Sequence, residues 1–215
     1  MKKIILISAP FFLSVLLYAQ SPKIISDCTI SFSISSSTIS NQKNLGVKII
    51  YIRGKDIRAD FISNLFTQTT FYNSNTGNAT ILKKAGQSKY ISNYTADEWK
   101  KQNEMYNGIS ISFTGVTKKI LDYECKQGLL TLKNGNIYTV YYTTALMPSV
   151  TENPFEFKDV PGLILEYQSS INENEKVIYT AEKIDFNPVP TLQFEIPKTG
   201  YRILHCLMQH IGRST

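Results

Sequence analysis

A mainly β fold, built as a single antiparallel, curved sheet or incomplete barrel with one short helix, follows from three observations. Apolar and polar residues alternate through segment after segment, the pattern of half-buried strands. Turns rich in Asn, Gly and Pro separate those segments at the spacing of all-β domains. A helix start signal stands at one place, and no heptad or internal repeat interrupts the pattern.

The elements follow in order. "CTISFSI" puts Cys28, Ile30, Phe32 and Ile34 on one face and Thr29, Ser31 and Ser33 on the other. The polar "SSSTISNQKN" is a loop. "VKIIYIRGKDIRADFI" is a hairpin turning at Gly54, with Arg58 and Asp60 opposite the face of Ile57, Ala59 and Phe61. "TTFYNSNTGNATILKK" repeats the design around Asn75 to Asn78, and a short strand at "SKYIS" follows.

Thr95-Ala96-Asp97-Glu98 then forms a capping box, in which the Thr95 hydroxyl accepts from the Glu98 amide while the Glu98 carboxylate reaches back. The helix it starts has only Trp99 and Met105 as apolar contacts, so it lies on the surface and docks through Trp99, the one tryptophan of the chain. Strands resume at "GISISFTG", "VTKKILDYECK" and "GLLTLKNGNIYTVYYT", the last folded back at Asn134-Gly135. "LILEYQSS" and "EKVIYTAEKIDF" close the series across a polar turn at Asn172 to Asn174. The expected chain is a signal peptide at 1–19, one β-rich domain of about ten strands at 20–200 and a tail or short helix at 201–215.

The signal peptide rests on Lys2 and Lys3, the apolar run "IILISAPFFLSVLLYA", and Leu17 and Ala19 at the −3 and −1 positions before Gln20. Pro10 breaks the run, which is short of the roughly 20 residues a membrane span needs. Cleavage after Ala19 yields an exported, periplasmic or secreted chain with no transmembrane span. It also removes two lysines, lowering the formal charge from +6 to +4. That charge is spread along the chain with no basic run interleaved with stacking aromatics, so it serves solubility rather than nucleic-acid binding. Three cysteines, Cys28, Cys125 and Cys206, allow one disulfide in any of three pairings, or buried free thiols.

Catalytic patterns are scarce. The two histidines, His205 and His210, stand close to the C-terminus, with no Gly-x-Ser-x-Gly elbow, His-Glu-x-x-His helix or phosphate loop. Asp56, Asp60, Glu166 and Glu173 alternate outward or sit in turns, and none forms an evident acid-base pair. His205, Cys206, Met208 and His210 are metal-capable, but the apolar stripe of Ile203, Leu204, Leu207, Met208 and Ile211 points to a docked terminal helix instead. The expectation is a non-enzymatic protein with no catalytic residue, metal or cofactor.

"NPFEFKDVPGLILEY" raises a separate question. Pro154 and Pro161 donate no ladder hydrogen bond, so the segment is a crossing loop or edge, and Pro161-Gly162 suits a type II turn before Leu163-Ile164-Leu165 enters the sheet. Phe155 and Phe157 alternate within the loop. These residues resemble the signature of the GLPGLI family, small secreted proteins found mainly in Bacteroidetes: Pro154, Phe155 and Phe157 match the lead-in, and Pro161, Gly162, Leu163 and Ile164 the core. Tyr123 and Cys125 resemble its Tyr-x-Cys element, and "YTVYYTTALMP", ending at Pro148, its aromatic strand. The resemblance runs from Thr117 to Phe186, with Asp159 and Val160 in place of the naming Gly-Leu and Tyr141 where Trp is usual.

That resemblance implies a secreted β-rich domain, similar to the periplasmic lipoprotein-carrier fold in which a helix acts as lid, and makes Pro154, Phe155, Phe157, Pro161, Gly162, Leu163 and Ile164 the candidate binding residues. Two functions follow. One is a periplasmic binding module that holds an apolar or lipid-like ligand on a sheet rich in aromatics, with 13 Tyr and 11 Phe in the chain. The other is a structural or adaptor protein of the envelope that binds another protein through an edge strand or the Pro154-Leu165 loop.

Overall fold

Twelve strands hydrogen-bond into one antiparallel sheet that only its last, parallel strand departs from. The computed structural model describes residues 21–36, 44–151, 153–172 and 175–204; the expected signal peptide at 1–19 and the histidine-bearing C-terminal segment lie outside them. In chain order the strands are β1 Lys23–Ile25, β2 Asp27–Ser36, β3 Asn44–Arg53, β4 Asp56–Ile62, β5 Thr67–Asn73, β6 Ala79–Ala85 and β7 Ser88–Tyr94. Helix α1, Ala96–Gln102, precedes β8 Ser110–Ile120, β9 Tyr123–Thr131, β10 Ile137–Thr143, β11 Leu146–Pro148, β12 Leu163–Asn172, β13 Glu175–Asp185 and β14 Arg202–Ile203. Across the sheet they run β14-β7-β6-β5-β4-β3-β2-β13-β12-β10-β9-β8, with β1 and β11 forming a separate parallel pair.

This order forces curvature. Laid flat at about 4.8 Å per strand, β7 and β8 would stand about 48 Å apart. The segment joining them, residues 95–109, contains α1 and a 3-10 turn at Glu104–Tyr106 and reaches at most about 38 Å. The sheet therefore curls until α1 can cross from one side to the other. The result is the incomplete barrel, mainly β with one α-helix among the described residues, that the sequence predicts.

Alternation sets the faces. Cys28, Ile30 and Phe32 stand opposite Ile52, Ile50 and Lys48, which stand opposite Ile57, Ala59 and Phe61, so one row of inward side chains runs from β2 through β4. Cys28, Ile30, Phe32, Ile50, Ile52 and Ile57 are all buried. On the convex face, Arg58 and Asp60 are outward as expected but not in solvent. Residues 189–194 lie across them: Val189 N–H donates to Asp27 Oδ1 at 3.0 Å, and Arg58 donates to the Gln193 carbonyl at 2.7 Å.

Two local expectations change. "VTKKILDYECK" is not one strand; it breaks at Leu121, whose φ of +52° turns β8 into β9. A non-glycine residue accepts that conformation because the two-residue turn demands it. Within the segment expected as a tail or short helix at 201–215, Arg202 and Ile203 pair in parallel with Tyr90 and Ile91 of β7.

Candidate functional site

The inner face of the sheet is filled on one side and hollow on the other. Residues 146–151 and 153–162 fill it over β2, β3 and β12. There Asn153 caps a single helical turn: its Oδ1 accepts from the Phe155 and Glu156 amides, each at 3.3 Å, and the Phe157 amide donates to its carbonyl at 3.0 Å. Pro154 takes the first position of that turn, where its missing N–H costs nothing. Glu156, third in the turn, accepts from Asn153 Nδ2 at 3.0 Å and is buried. Asn-Pro-x-Glu is thus a helix-start signal, and sequence reasoning treated it only as loop punctuation.

The turn drives Phe157 into the core. Its ring meets Tyr167 edge-on with centroids 5.2 Å apart, and Tyr167 is also met by Phe32 at 6.1 Å. Pro161 then closes a three-residue turn, Gly162 N–H donating to the Val160 carbonyl at 3.0 Å. This is not the expected type II turn, since Gly162 has φ +158° rather than the roughly +80° that turn requires. Glycine is needed there for a different reason: a Cβ would fall on the Thr143 carbonyl oxygen as β12 enters beside β10. Asp159 is exposed and paired with Lys158 at 3.7 Å, away from any tight contact.

Of the seven sequence-predicted site residues, Phe157, Gly162 and Leu163 are buried, Pro154, Phe155 and Ile164 are half-buried, and Pro161 is exposed. Phe157, Gly162, Leu163 and Ile164 border an apolar crevice of about 30 Å³ together with Ile30, Phe32 and Tyr167. The others are not brought together with them there.

The hollow side is larger, about 310 Å³. Its floor is Lys48 of β3, Ile57, Ala59 and Phe61 of β4, Gln68 and Thr70 of β5, with Phe66 from the connecting loop and Tyr179 of β13. Its roof is Trp99 and Asn103 from α1 and its C-cap, and Asn153 stands where the filled side begins. The predicted capping box positions the roof: Thr95 N–H donates to Glu98 Oε2 at 2.8 Å, and Glu98 N–H to the Thr95 hydroxyl at 3.4 Å. Trp99 docks on Tyr94 with ring centroids 5.5 Å apart, and Asn103 Nδ2 donates to the Trp99 carbonyl at 2.8 Å.

The Trp99 indole nitrogen is closed off from solvent and finds no acceptor among the described residues. Lys48, by contrast, is engaged: it donates to the Tyr167 hydroxyl at 2.7 Å and lies over the Tyr167 and Tyr179 rings at 5.3 and 5.2 Å. No described residue lining the cavity is His, Cys, Asp or Glu, and no cluster of three such residues occurs among the described residues. What this arrangement offers is shape, apolar surface and a few hydrogen-bonding groups.

Sequence reasoning missed Lys48, Phe61, Gln68, Thr70 and Tyr179 as a set, and favoured docking over ligand stacking for Trp99. The missed signal was polar interruption of an apolar row: Lys48 shares its face with Ile50 and Ile52. Cys28 and Cys125 are free thiols, both 0% exposed. Burial, with a smaller contribution from the Asp27 charge, pushes Cys28 up to about 12, and burial chiefly raises Cys125 to about 11.

No protein-family model matches the chain, and no curated protein is significantly similar to it. Among solved structures, PNGF-II in a C2 crystal form superposes with a TM-score of 0.51 at 16% identity, over 82% of this chain and 30% of that one. Its P21 form gives 0.51 at 14%, over 83% and 32%. The chain thus spans about a third of the length of PNGF-II, and the likeness is one of fold. A LolA superfamily protein from Nitrosomonas europaea aligns over 80% of this chain and 90% of its own with a TM-score of 0.33 at 8% identity, too low to establish a shared fold.

Proposed function

We propose that this protein is an exported binding module that holds an apolar or lipid-like ligand on the inner face of its sheet, beneath α1. The observation that carries this reading is the cavity of about 310 Å³ between a curved sheet and a crossing helix. Its size is at the lower end of small-molecule sites, and its lining combines apolar and aromatic side chains with the polar Lys48, Gln68, Thr70, Asn103 and Asn153. Export rests on the signal peptide read in residues 1–19, and membership of the GLPGLI family on Pro154 to Ile164; both are part of the proposal. None of the described helices is long and apolar enough to cross a membrane.

The second reading, an envelope adaptor, draws on β8. That strand borders the sheet with Phe113 55% and Val116 49% exposed. A register shift between Phe113 and Thr117, followed by Lys118 and Lys119, blunts the same edge against strand addition. The Pro154-Leu165 loop is a poorer docking surface still, because its Phe157, Gly162, Leu163 and Leu165 are buried.

Native mass spectrometry of the mature chain purified from its own cell envelope, with organic extraction in parallel, tests the proposal. A releasable lipid supports the binding module. A bare polypeptide mass, together with no uptake of acyl probes by the purified chain, overturns it in favour of the adaptor.

A further inference from the structure

Trp99, one of the residues lining the cavity, carries a hydrogen-bond donor that finds no partner among the described residues. That donor, Nε1, is shielded from solvent. An indole N–H donates and never accepts, so only an acceptor satisfies it. A buried donor left unmade is costly, and each such group calls for an explanation.

The element that bears Trp99 is lightly held. α1 has seven residues and none of them is buried. It is fixed by its own capping box at Thr95, by the Trp99 ring on Tyr94, and by Asn103 at its C-cap. Elements with so little burial open at low free energy relative to the core. The N–H is closed off in this conformation, so an acceptor reaches it only when α1 shifts.

Resting on the binding reading above, we propose that the ligand is a neutral acyl compound, an ester or tertiary amide, whose carbonyl oxygen accepts from Trp99 Nε1 as α1 moves to admit it. An ester or a tertiary amide has acceptors only, so it satisfies the indole without bringing a donor of its own into apolar surroundings. A carboxylate would also accept, but its charge is far more costly to desolvate beside a neutral donor. A hydrocarbon would fill the floor yet leave the indole unsatisfied. The donor therefore separates acyl esters and tertiary amides from hydrocarbons of equal length, as sites built around a hydrogen bond reject analogues that lack it.

The test uses the full mature chain with methyl decanoate and dodecane, chains of equal length. Binding is followed by calorimetry and by the indole cross-peak of the nitrogen-labelled protein, which is single because Trp99 is the only tryptophan. Methyl decanoate is expected to bind on the order of tenfold tighter than dodecane and to move the indole proton downfield. Trp99→Phe, which keeps the ring and loses the donor, is expected to bind the two alike. Equal binding of both probes to the wild-type chain with an unmoved indole proton overturns the inference and leaves the binding reading standing. If neither probe binds, the binding reading itself fails, and the inference with it.

Discussion

Tyr167 and Tyr179 are directly opposed on β12 and β13, and their rings stack with centroids 4.5 Å apart and planes 4° from parallel. The pair joins the two sides of the inner face: Tyr167 is buried beneath Phe157, while Tyr179 borders the cavity. Cross-strand aromatic pairs contribute beyond their buried area. Tyr179→Ala is expected to lower stability by about 1–2 kcal/mol, and Tyr179→Phe by well under half of that. Urea denaturation of both variants checks the ordering; equal losses would place the effect in the hydroxyl rather than the stack.

Gly162 is the sharper structural test. Any side chain there meets the Thr143 backbone, which is held by β10 pairing and shifts only at the expense of the β10–β12 ladder. Gly162→Ala is expected to lose about 2–4 kcal/mol. Gly135→Ala, at φ +85° in a hairpin turn with open space around it, is expected to lose about 1 kcal/mol. Denaturation midpoints that rank the two the other way would show that the close approach is not what requires glycine at 162.

Thr95→Ala removes the cap of α1 and should act on the roof far more than on the whole fold. Helix caps are worth about 1 kcal/mol, and α1 buries no residue of its own. Acrylamide quenching of Trp99 fluorescence is expected to rise while the global midpoint barely moves. Acid should loosen α1 likewise. Hydrogen bonds from the Thr95 backbone and hydroxyl hold the Glu98 carboxyl below its ordinary value of 4.5, so the cap is intact above that pH and is lost as pH falls through the lowered folded value. In Glu98→Gln, which keeps an acceptor but does not titrate, the added quenching in acid should be small.

The two buried thiols set an alkaline limit. Each has an ordinary value of 9.0 and is raised by burial, Cys28 to about 12 and Cys125 to about 11. Above pH 9 the unfolded chain loses these protons while the folded chain keeps them, so stability is fully present below pH 9 and declines toward pH 11–12. In Cys28→Ala that decline is expected to be shallower. Native protein at pH 8 should resist iodoacetamide at both positions, and rapid native labelling would contradict their burial.

Arg58 forks onto Asp60 at 2.9 and 2.8 Å and also donates to the Gln193 carbonyl at 2.7 Å and its side-chain Oε1 at 3.0 Å, so it ties the 189–204 segment to the convex face. Arg58→Ala is expected to lose about 3 kcal/mol, because Asp60, 8% exposed while the pair is intact, loses its partner. Adding Asp60→Ala should recover part of that loss. Hydrogen exchange at Leu204, whose amide donates to the Ile91 carbonyl, should accelerate in the single variant. An unchanged rate would mean that β14 pairing holds the segment without Arg58.

Local rules account for much of this molecule. Alternation in "CTISFSI" and "VKIIYIR" placed Cys28, Ile30, Phe32, Ile50 and Ile52 on one buried face, because a strand's period of two is a property of the backbone. Asn134-Gly135 named its hairpin and Thr95-x-x-Glu98 its helix start, each through contacts that span a few residues. Those signals are written in neighbours, so they survive without knowledge of the fold.

The cavity depends on contacts of another kind. Lys48 and Tyr179 are 131 positions apart along the chain, and they border one hollow only because β13 inserts beside β2 and the sheet curls beneath α1. Gly162 shows the same division: its identity with Pro161 suggested a turn, whereas its need for a bare α-carbon comes from Thr143 on a different strand. Strand periodicity is local and therefore legible in the letters; strand order, curvature and the stranded Trp99 donor arise from long-range pairing, which no single segment encodes.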